Sequence, residues 1–352
     1  MTAPFDTSEA IAMIRRSAEG VADRRDLSRI RRLRYSRPGF ERSAWTTMCE
    51  LGWPALRLPE SCGGVGLDAI AYCALAESLG AALTPEPLIG ATICSALLDA
   101  DALGPHLTGA SLVLPAWQDT RDAAGPTANV RLENGKLFGD KRYVPMAAGA
   151  DAFLVVGPEV SWLVDARAPG VSVELLDTQD GGHFGAIQLD GASGRKLEID
   201  PGFAMAEACL ATSAYLLGLA GAALERTLEY LRLRVQFGKV IGSFQALQHR
   251  AVELKLQLEL TRASVEDAAA RWDLAPGTDL SFAAISRAKA RSTGAAMFVT
   301  RQAIQLHGGI GFTDEHDIGL FLRKAMVVAP QFGGVAFHRA RFADLVVANE
   351  GG

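Results

Sequence analysis

Residues 234–248, RVQFGKVIGSFQALQ, decide how this chain is read. They put an arginine, an aromatic, a glycine and three glutamines (Gln236, Gln245 and Gln248) at the start of a long helical pattern. A plain helix–helix connection does not require that combination. Upstream, 203–234 reads as one long helix, apolar on nearly all faces over its first half. Such a helix is buried in a bundle or at an oligomer interface. Downstream, Phe244, Leu247, Ala251, Leu254 and Leu258 mark one face of the next helix. Asp279 or Ser281 is expected to cap a third helix that ends at QLHGGIGF, where Gly308 or Gly309 supplies the positive φ that closes it.

Further out, the first 105 or so residues also read as helical. TSEAIAMIRRSAEGVADRR starts with a Ser or Thr cap. SAWTTMCELGWPALRLP is a helix closed by Gly52 and Pro54, and LDAIAYCALAESLGAALTP is another that stops near Pro85. Between them PESCGGVGL is a glycine-punctuated loop. After Gly104 the pattern changes to short β-rich runs separated by turn residues: GASLVLPAW, TANVRLENGKLFGDKRYVP, ADAFLVVG, VSWLVDA and VSVELL. In ENGK, Asn134-Gly135 suits a type I′ hairpin turn. The expected layout is α+β: an N-terminal helical domain (1–105), a small middle β-domain (106–200) and a C-terminal helical bundle (201–352).

Composition removes several function classes. The chain has 352 residues, is 49% hydrophobic and carries a net charge of −5 with both signs mixed, so no basic stripe marks it for nucleic acid. Five cysteines show no CxxC and no ligand spacing, and read as reduced, mostly buried thiols of a cytoplasmic protein. The first twenty residues have no apolar signal core. The most apolar stretch, 208–224, is expected to be a buried helix rather than a membrane span. No metal site is expected. The run Asp314, Glu315, His316, Asp317 is read as surface or interface chemistry, and His249 and His307 as structural or near-cofactor groups.

PESCGGVGL, RVQFGKVIGSFQALQH and QLHGGIGFTDEHDIGLFLRKA resemble the signature segments of the acyl-CoA dehydrogenases, in the right order and over almost the whole chain. The resemblance implies the fold just described, with a C-terminal four-helix bundle. It also implies FAD, and oxidation of an acyl-CoA thioester to the trans-2-enoyl-CoA, the α-proton being removed while the flavin takes the β-hydride. Electrons would pass to an electron-transfer flavoprotein or similar acceptor; an oxidase-like use of the fold is not separated by sequence. The residues matching Arg234, Gln236, Phe237, Gly238, Gln305, Gly308 and Gly309 would meet FAD bound mainly to a neighbouring subunit. Arg234 would meet the pyrophosphate through charge-assisted hydrogen bonds, and Gly238 would let the backbone come close.

Other segments depart from the family. Its Thr-Glu-Pro…Gly-Ser-Asp motif has no counterpart in ASLVLPAWQDTRDAAG. Its Trp-x-Thr/Ser motif is replaced by Tyr143, Pro145 and Met146. The segment that carries a catalytic Glu in most members reads QFGGVAF here, with Gly333 at the Glu position. A few members use a Glu-Arg pair near the start of the long helix, where this chain has Ala208 and Cys209. Glu207 is one residue away, but one residue is about 100° of helix. It stands as the candidate base, against an ordinary first-turn carboxylate favoured by the helix dipole. The family includes α2β2 heteromers in which one subunit carries the base and another completes the flavin site, and this chain resembles the second kind. The expectation is therefore a partner subunit of a heteromeric acyl-CoA dehydrogenase. The alternatives are a self-sufficient homomer using Glu207 and a non-enzymatic scaffold.

Overall fold

The computed structural model describes residues 7–120, 123 and 125–350. In chain order these form helices α1 (Thr7–Val21), α2 (Ser28–Leu33), α3 (Arg42–Glu50), α4 (Ala69–Ala81), α5 (Leu88–Leu97) and α6 (Ala100–Leu107). Eight strands follow: β1 (Val113–Ala116), β2 (Arg131–Glu133), β3 (Lys136–Pro145), β4 (Ala152–Val155), β5 (Ser161–Asp165), β6 (Val171–Asp177), β7 (His183–Ala192) and β8 (Arg195–Leu197). Then come α7 (Gly202–Leu233), a hairpin of β9 (Val235–Gln236) and β10 (Lys239–Val240), α8 (Gln245–Leu274), α9 (Asp279–His307), α10 (Ile318–Val328) and α11 (Val335–Glu350). The expected order of helical, β and helical segments is present. Compactness groups the chain in another way: residues 28–68 and 85–208 form one unit, and residues 1–27, 69–84 and 209–352 another.

In the first of these units, two four-stranded sheets run β1-β4-β5-β8 and β2-β3-β7-β6. All pairs are antiparallel except β1 with β4. Asn134 and Gly135 both have positive φ, so ENGK forms the I′-type turn its sequence predicts, pairing Glu133 with Lys136. Helices 88–107 belong here because they serve the sheet. Buried His106 accepts from Val113 N at 3.2 Å and reaches Ala91 O at 3.0 Å, joining α6, β1 and α5. Lys141 is also buried. Its ammonium donates to Thr127 O (2.7 Å), Thr127 Oγ1 (3.2 Å) and Trp117 O (3.3 Å), fastening β3 to the segment before it. Arg121, Asp122 and Ala124 of that segment lie outside the described residues.

In the other unit, α4 crosses α7 backbone against backbone. A Cβ on Gly80 would lie 2.0 Å from Tyr215 O, and one on Gly218 would lie 1.8 Å from Glu77 O, so only glycine permits the approach. Around this crossing Arg262 holds Glu77 through two bonds of 3.1 and 2.6 Å. Asp273 accepts from Ala69 N with both oxygens at 2.8 Å, capping α4.

Three local expectations are corrected. Residues 234–240 do not open a helix, because Phe237 (φ +53°) and Gly238 (φ +78°) turn the chain back on itself. Helix α9 is capped by Thr278, whose hydroxyl accepts from Ser281 N at 3.3 Å, so Asp279 and Ser281 fall in the first turn. Thr7 and Ser8 both lie within helix α1 rather than capping it. The apolar stretch 208–224 lies within α7, which at 32 residues is long and apolar enough to cross a membrane; 83% of its most apolar window is buried within the protein. Of the five free cysteines, Cys49, Cys73, Cys94 and Cys209 are buried and Cys62 is exposed.

Candidate functional site

The opening stretch is a finger. β9 and β10 pair Gln236 with Lys239 and Val235 with Val240, and the positive φ of Phe237 and Gly238 makes the tip a I′-type turn. Arg234 is the hinge at its base: its N–H donates to Tyr230 O (2.9 Å) and its carbonyl accepts from Ile241 N (2.8 Å). The Phe237 ring is 90% exposed and meets Phe244 in a T-shaped contact, with 6.2 Å between centroids. Lys239 Nζ lies 4.2 Å from the Phe244 ring centroid, a cation–π contact that stiffens the finger. Gln236 turns its amide onto its neighbour, Val235 O, at 2.8 Å. The Arg234 guanidinium is exposed and has no hydrogen bond or ion pair with any described residue. Its planar fork is free to grip a phosphate or carboxylate.

The second segment lies at the end of α9. Gly308 (φ +65°) closes the helix, with its N–H on Gln305 O. Gln305, Gly308 and Gly309 are all exposed. Gly309 has no positive φ, and a Cβ added there meets nothing within 4 Å, so no described residue demands glycine at that position. The two segments are joined through aromatic rings. Tyr230, one turn before Arg234, stacks on His307 at 4.5 Å, and His307 lies 4.6 Å from His316. The structure thus brings Arg234 and Gly308 to a common support. His307 is buried there and donates from Nδ1 to Ala303 O at 2.7 Å; burial lowers its pKa. His249 is exposed on α8.

The run 314–317 is spent on local contacts. Asp314 pairs with Arg323 (2.9 Å), Asp317 lies 3.7 Å from Arg226, and His316 Nδ1 accepts from Ile318 N (3.1 Å). Among the described residues no three or more His, Cys, Asp or Glu side chains are grouped to hold a metal ion.

The two candidate base positions differ. Glu207 projects from the first turns of α7 onto Arg57, whose Nε donates at 3.1 Å and Nη2 at 2.5 Å to one carboxylate oxygen; Nη1 of the same arginine donates to Leu67 O at 2.6 Å. Both side chains are largely covered, at 23% and 22% exposed. A carboxylate held this way is an acceptor for a guanidinium, and proton abstraction would have to compete with that pair. Gly333 lies in a buried turn with φ +106° and carries no side chain.

In the β-rich unit, the segment replacing Trp-x-Thr is apolar and filled. Tyr143 (φ +58°) meets Phe184 edge-on at 6.0 Å. Pro145 has neither hydroxyl nor N–H to offer. Met146 is buried: its Sδ lies 3.1 Å from where a Gly39 Cβ would be, and its Cε 2.8 Å from that of Gly182. Beside it, His183 Nε2 accepts from Ala148 N at 3.0 Å, and burial, helped by Arg37, pushes its pKa down to about 4.

Sequence reasoning missed Arg57, Tyr230 and Lys289. Lys289 had a readable signal: it stands at core spacing between Ile285 and Thr293, a cation on the buried face of α9. Arg57 had none, because its partner is 150 residues away.

Comparison with known proteins agrees with this architecture. Residues 8–100 match the family model for the acyl-CoA dehydrogenase N-terminal domain, and residues 203–344 that for its C-terminal domain. The acyl-CoA dehydrogenase IpdE2 of Mycobacterium tuberculosis is 33% identical over 294 residues, 82% of this chain and 81% of that protein. Among solved structures, a variant of the Tcur3481-Tcur3483 steroid ACAD superposes with a TM-score of 0.84 at 27% identity, covering 99% of each chain. The ChsE4-ChsE5 complex from Mycobacterium tuberculosis shares the fold, with a TM-score of 0.82 at 23% identity over 98% of each chain. The chain belongs to the acyl-CoA dehydrogenase family, whose members are FAD-dependent oxidoreductases.

Proposed function

We propose that this chain is the partner subunit of a heteromeric acyl-CoA dehydrogenase, and that it completes a flavin site whose other half, with the base, lies on a second polypeptide. The observation that carries the reading is the finger at 234–240. It presents an unpaired guanidinium and a 90% exposed phenylalanine on a rigid turn. Covering the ring would remove apolar area from water, and the guanidinium beside it is free to take an anion. FAD fits them. Arg234 would grip the pyrophosphate, Phe237 would pack on the cofactor, and Gln305, Gly308 and Gly309 would border the dinucleotide. Gly309 supports this, because its lack of a side chain serves no described residue. Gln236 and Gly238 would shape the finger around the ligand.

The opposite half of a flavin site does not fit. Pro145 has no donor, and buried Met146 has only a backbone N–H, already given to His183 O. When bound, FAD supplies the hydride acceptor. The residues of this chain hold and orient it, and neither Glu207, engaged by Arg57, nor Gly333 takes the α-proton. The likeness to the paired Tcur3481-Tcur3483 steroid ACAD supports a heteromer, a heterotetramer by the family's α2β2 pattern. It also supports a steroid-derived acyl-CoA thioester as substrate, with an electron-transfer flavoprotein or similar acceptor in the cytoplasm.

The test is flavin content per chain, from visible absorption, for the protein purified alone and after co-expression with a second acyl-CoA dehydrogenase-like chain from the same source. A colourless protein that turns yellow in complex, at about one flavin per pair, is expected. A yellow homomer bleached by an acyl-CoA without a partner would overturn the reading.

A further inference from the structure

The turn between α10 and α11 is built around a buried cation. Lys289 is fully buried on α9, and its ammonium donates to Ala329 O (2.7 Å), Thr293 Oγ1 (3.2 Å) and Gly333 O (3.3 Å). An ammonium has three protons, and these are three acceptors, none of them a carboxylate. Ala329 is the C-terminal cap of α10, so Lys289 satisfies a helix-end carbonyl and a turn carbonyl together. From the other side, His338 Nε2 donates to Phe332 O at 2.9 Å, with Cys209 Sγ at 3.9 Å from the same nitrogen. Phe332 (φ +60°) and Gly333 (φ +106°) are both left-handed, which turns their carbonyls inward onto these donors.

A side chain at 333 would crowd this arrangement. An added Cβ would lie 2.7 Å from Phe337 Cδ1 and 3.1 Å from His338 Nε2. Phe337 is half-exposed and could swing away, but His338 is buried and pinned by its bond to Phe332 O. The backbone φ would remain strained in any case. We propose that Lys289 is a positioning residue that holds residues 329–333 carbonyl-inward, in a backbone state reserved for glycine at 333, so that no general base is accommodated there even when one is written back. The proposal rests on the partner-subunit reading, in which the abstracting carboxylate comes from the second polypeptide. It goes further in making the loss structural rather than a single missing side chain.

Amide hydrogen exchange on the full-length chain tests it, with Lys289→Gln, Gly333→Ala, Gly333→Glu and the double variant Lys289→Gln/Gly333→Glu. The reporters are the amides of Gln331, Gly333 and His338, bonded to Val328 O, Pro330 O and Gly334 O respectively. Each single variant is expected to accelerate their exchange at least tenfold, with amides of α4 changing less than twofold. The double variant should go no further than the singles, because both substitutions undo one latch. Unchanged protection in Lys289→Gln, or wild-type protection throughout the turn in Gly333→Glu, would overturn the proposal. If Lys289→Gln does not fold, Gly333→Ala decides alone by the same criterion. Flavin content is not read in this experiment, so failure of the partner-subunit reading shows separately, as a yellow, bleachable homomer.

Discussion

The finger at 234–240 and the turn at 329–338 belong to the same compact unit and dispose of their polar groups in opposite ways. In the turn, a buried ammonium is matched to two carbonyls and a hydroxyl, and a buried imidazole gives its Nε2 to a third carbonyl. In the finger, a guanidinium and an aromatic ring are left over after every local bond is made. The turn occupies the place where family resemblance expects a catalytic carboxylate, and among the described residues its donors are bonded inside the chain, apart from His338 Nδ1, which is buried with no hydrogen-bond partner. The finger occupies a place where resemblance expects a cofactor, and its chemistry is unspent. What is left both unpaired and exposed, rather than what is present, therefore separates structure from function here.

The largest expected effect tests the closed side of the comparison. Burial, with Lys289 nearby, pushes the His338 pKa down to about 4, and burial with Arg37 does the same for His183 in the β-rich unit. An unfolded histidine titrates near 6.5, so between about 6.5 and 4 the unfolded chain binds more protons than the folded one. Stability therefore falls as pH drops through that window, by up to about 3 kcal/mol per imidazole. Urea unfolding at pH 7, 6, 5 and 4 should show this loss, and His338→Gln should shrink it. A midpoint flat from pH 7 to 4 would mean that these rings are not held neutral by burial.

The open side is tested by Arg234→Ala in the flavin-loaded complex. Loss of a charge-assisted bond should weaken flavin retention by roughly 1.5–3 kcal/mol, about ten- to a hundredfold. The unfolding midpoint of the isolated chain should not move, since the guanidinium has no partner among the described residues. A shifted midpoint with unchanged flavin content would reverse the assignment and make Arg234 structural. Phe237→Ala sharpens the same contrast at smaller scale. It should cost about 0.5–1.5 kcal/mol of flavin or partner binding and nothing in the stability of the chain alone, as the ring is almost wholly exposed.

Much of this was legible in the sequence, for identifiable reasons. The long helix 203–234 is placed within one residue because continuous apolar composition needs no tertiary context. Asn134-Gly135 announced its turn because few dipeptides tolerate positive φ twice. Phe237-Gly238 hid the same turn because phenylalanine is not a residue that advertises a left-handed backbone. Pairs of only two residues on each side also leave no alternation to detect. Residues 28–68 read as helical and do contain helices, but their grouping with the strands rests on distant ion pairs such as Arg42–Asp151 and Arg37–Asp177, which no local pattern encodes. The surroundings of the candidate base were hidden in the same way. Glu207 was visible as a carboxylate near the expected place, whereas its engagement by Arg57 was not.

That engagement yields the smallest and most discriminating prediction. In Glu207→Gln the amide oxygen can still accept from Arg57, so only the charge component of a partly covered pair is lost, about 1 kcal/mol of stability or less. If the second polypeptide owns the base, turnover of the complex should stay within about threefold of the parent, a difference below about 0.7 kcal/mol in the barrier. If Glu207 is the base, the amide cannot take a proton and turnover falls by the two or more orders of magnitude that general-base catalysis contributes, at unchanged flavin content. Arg57→Ala separates the two cases further. It removes the guanidinium that competes for the carboxylate, so turnover through a catalytic Glu207 would change markedly, whereas with the base on the second polypeptide turnover should stay near that of the parent.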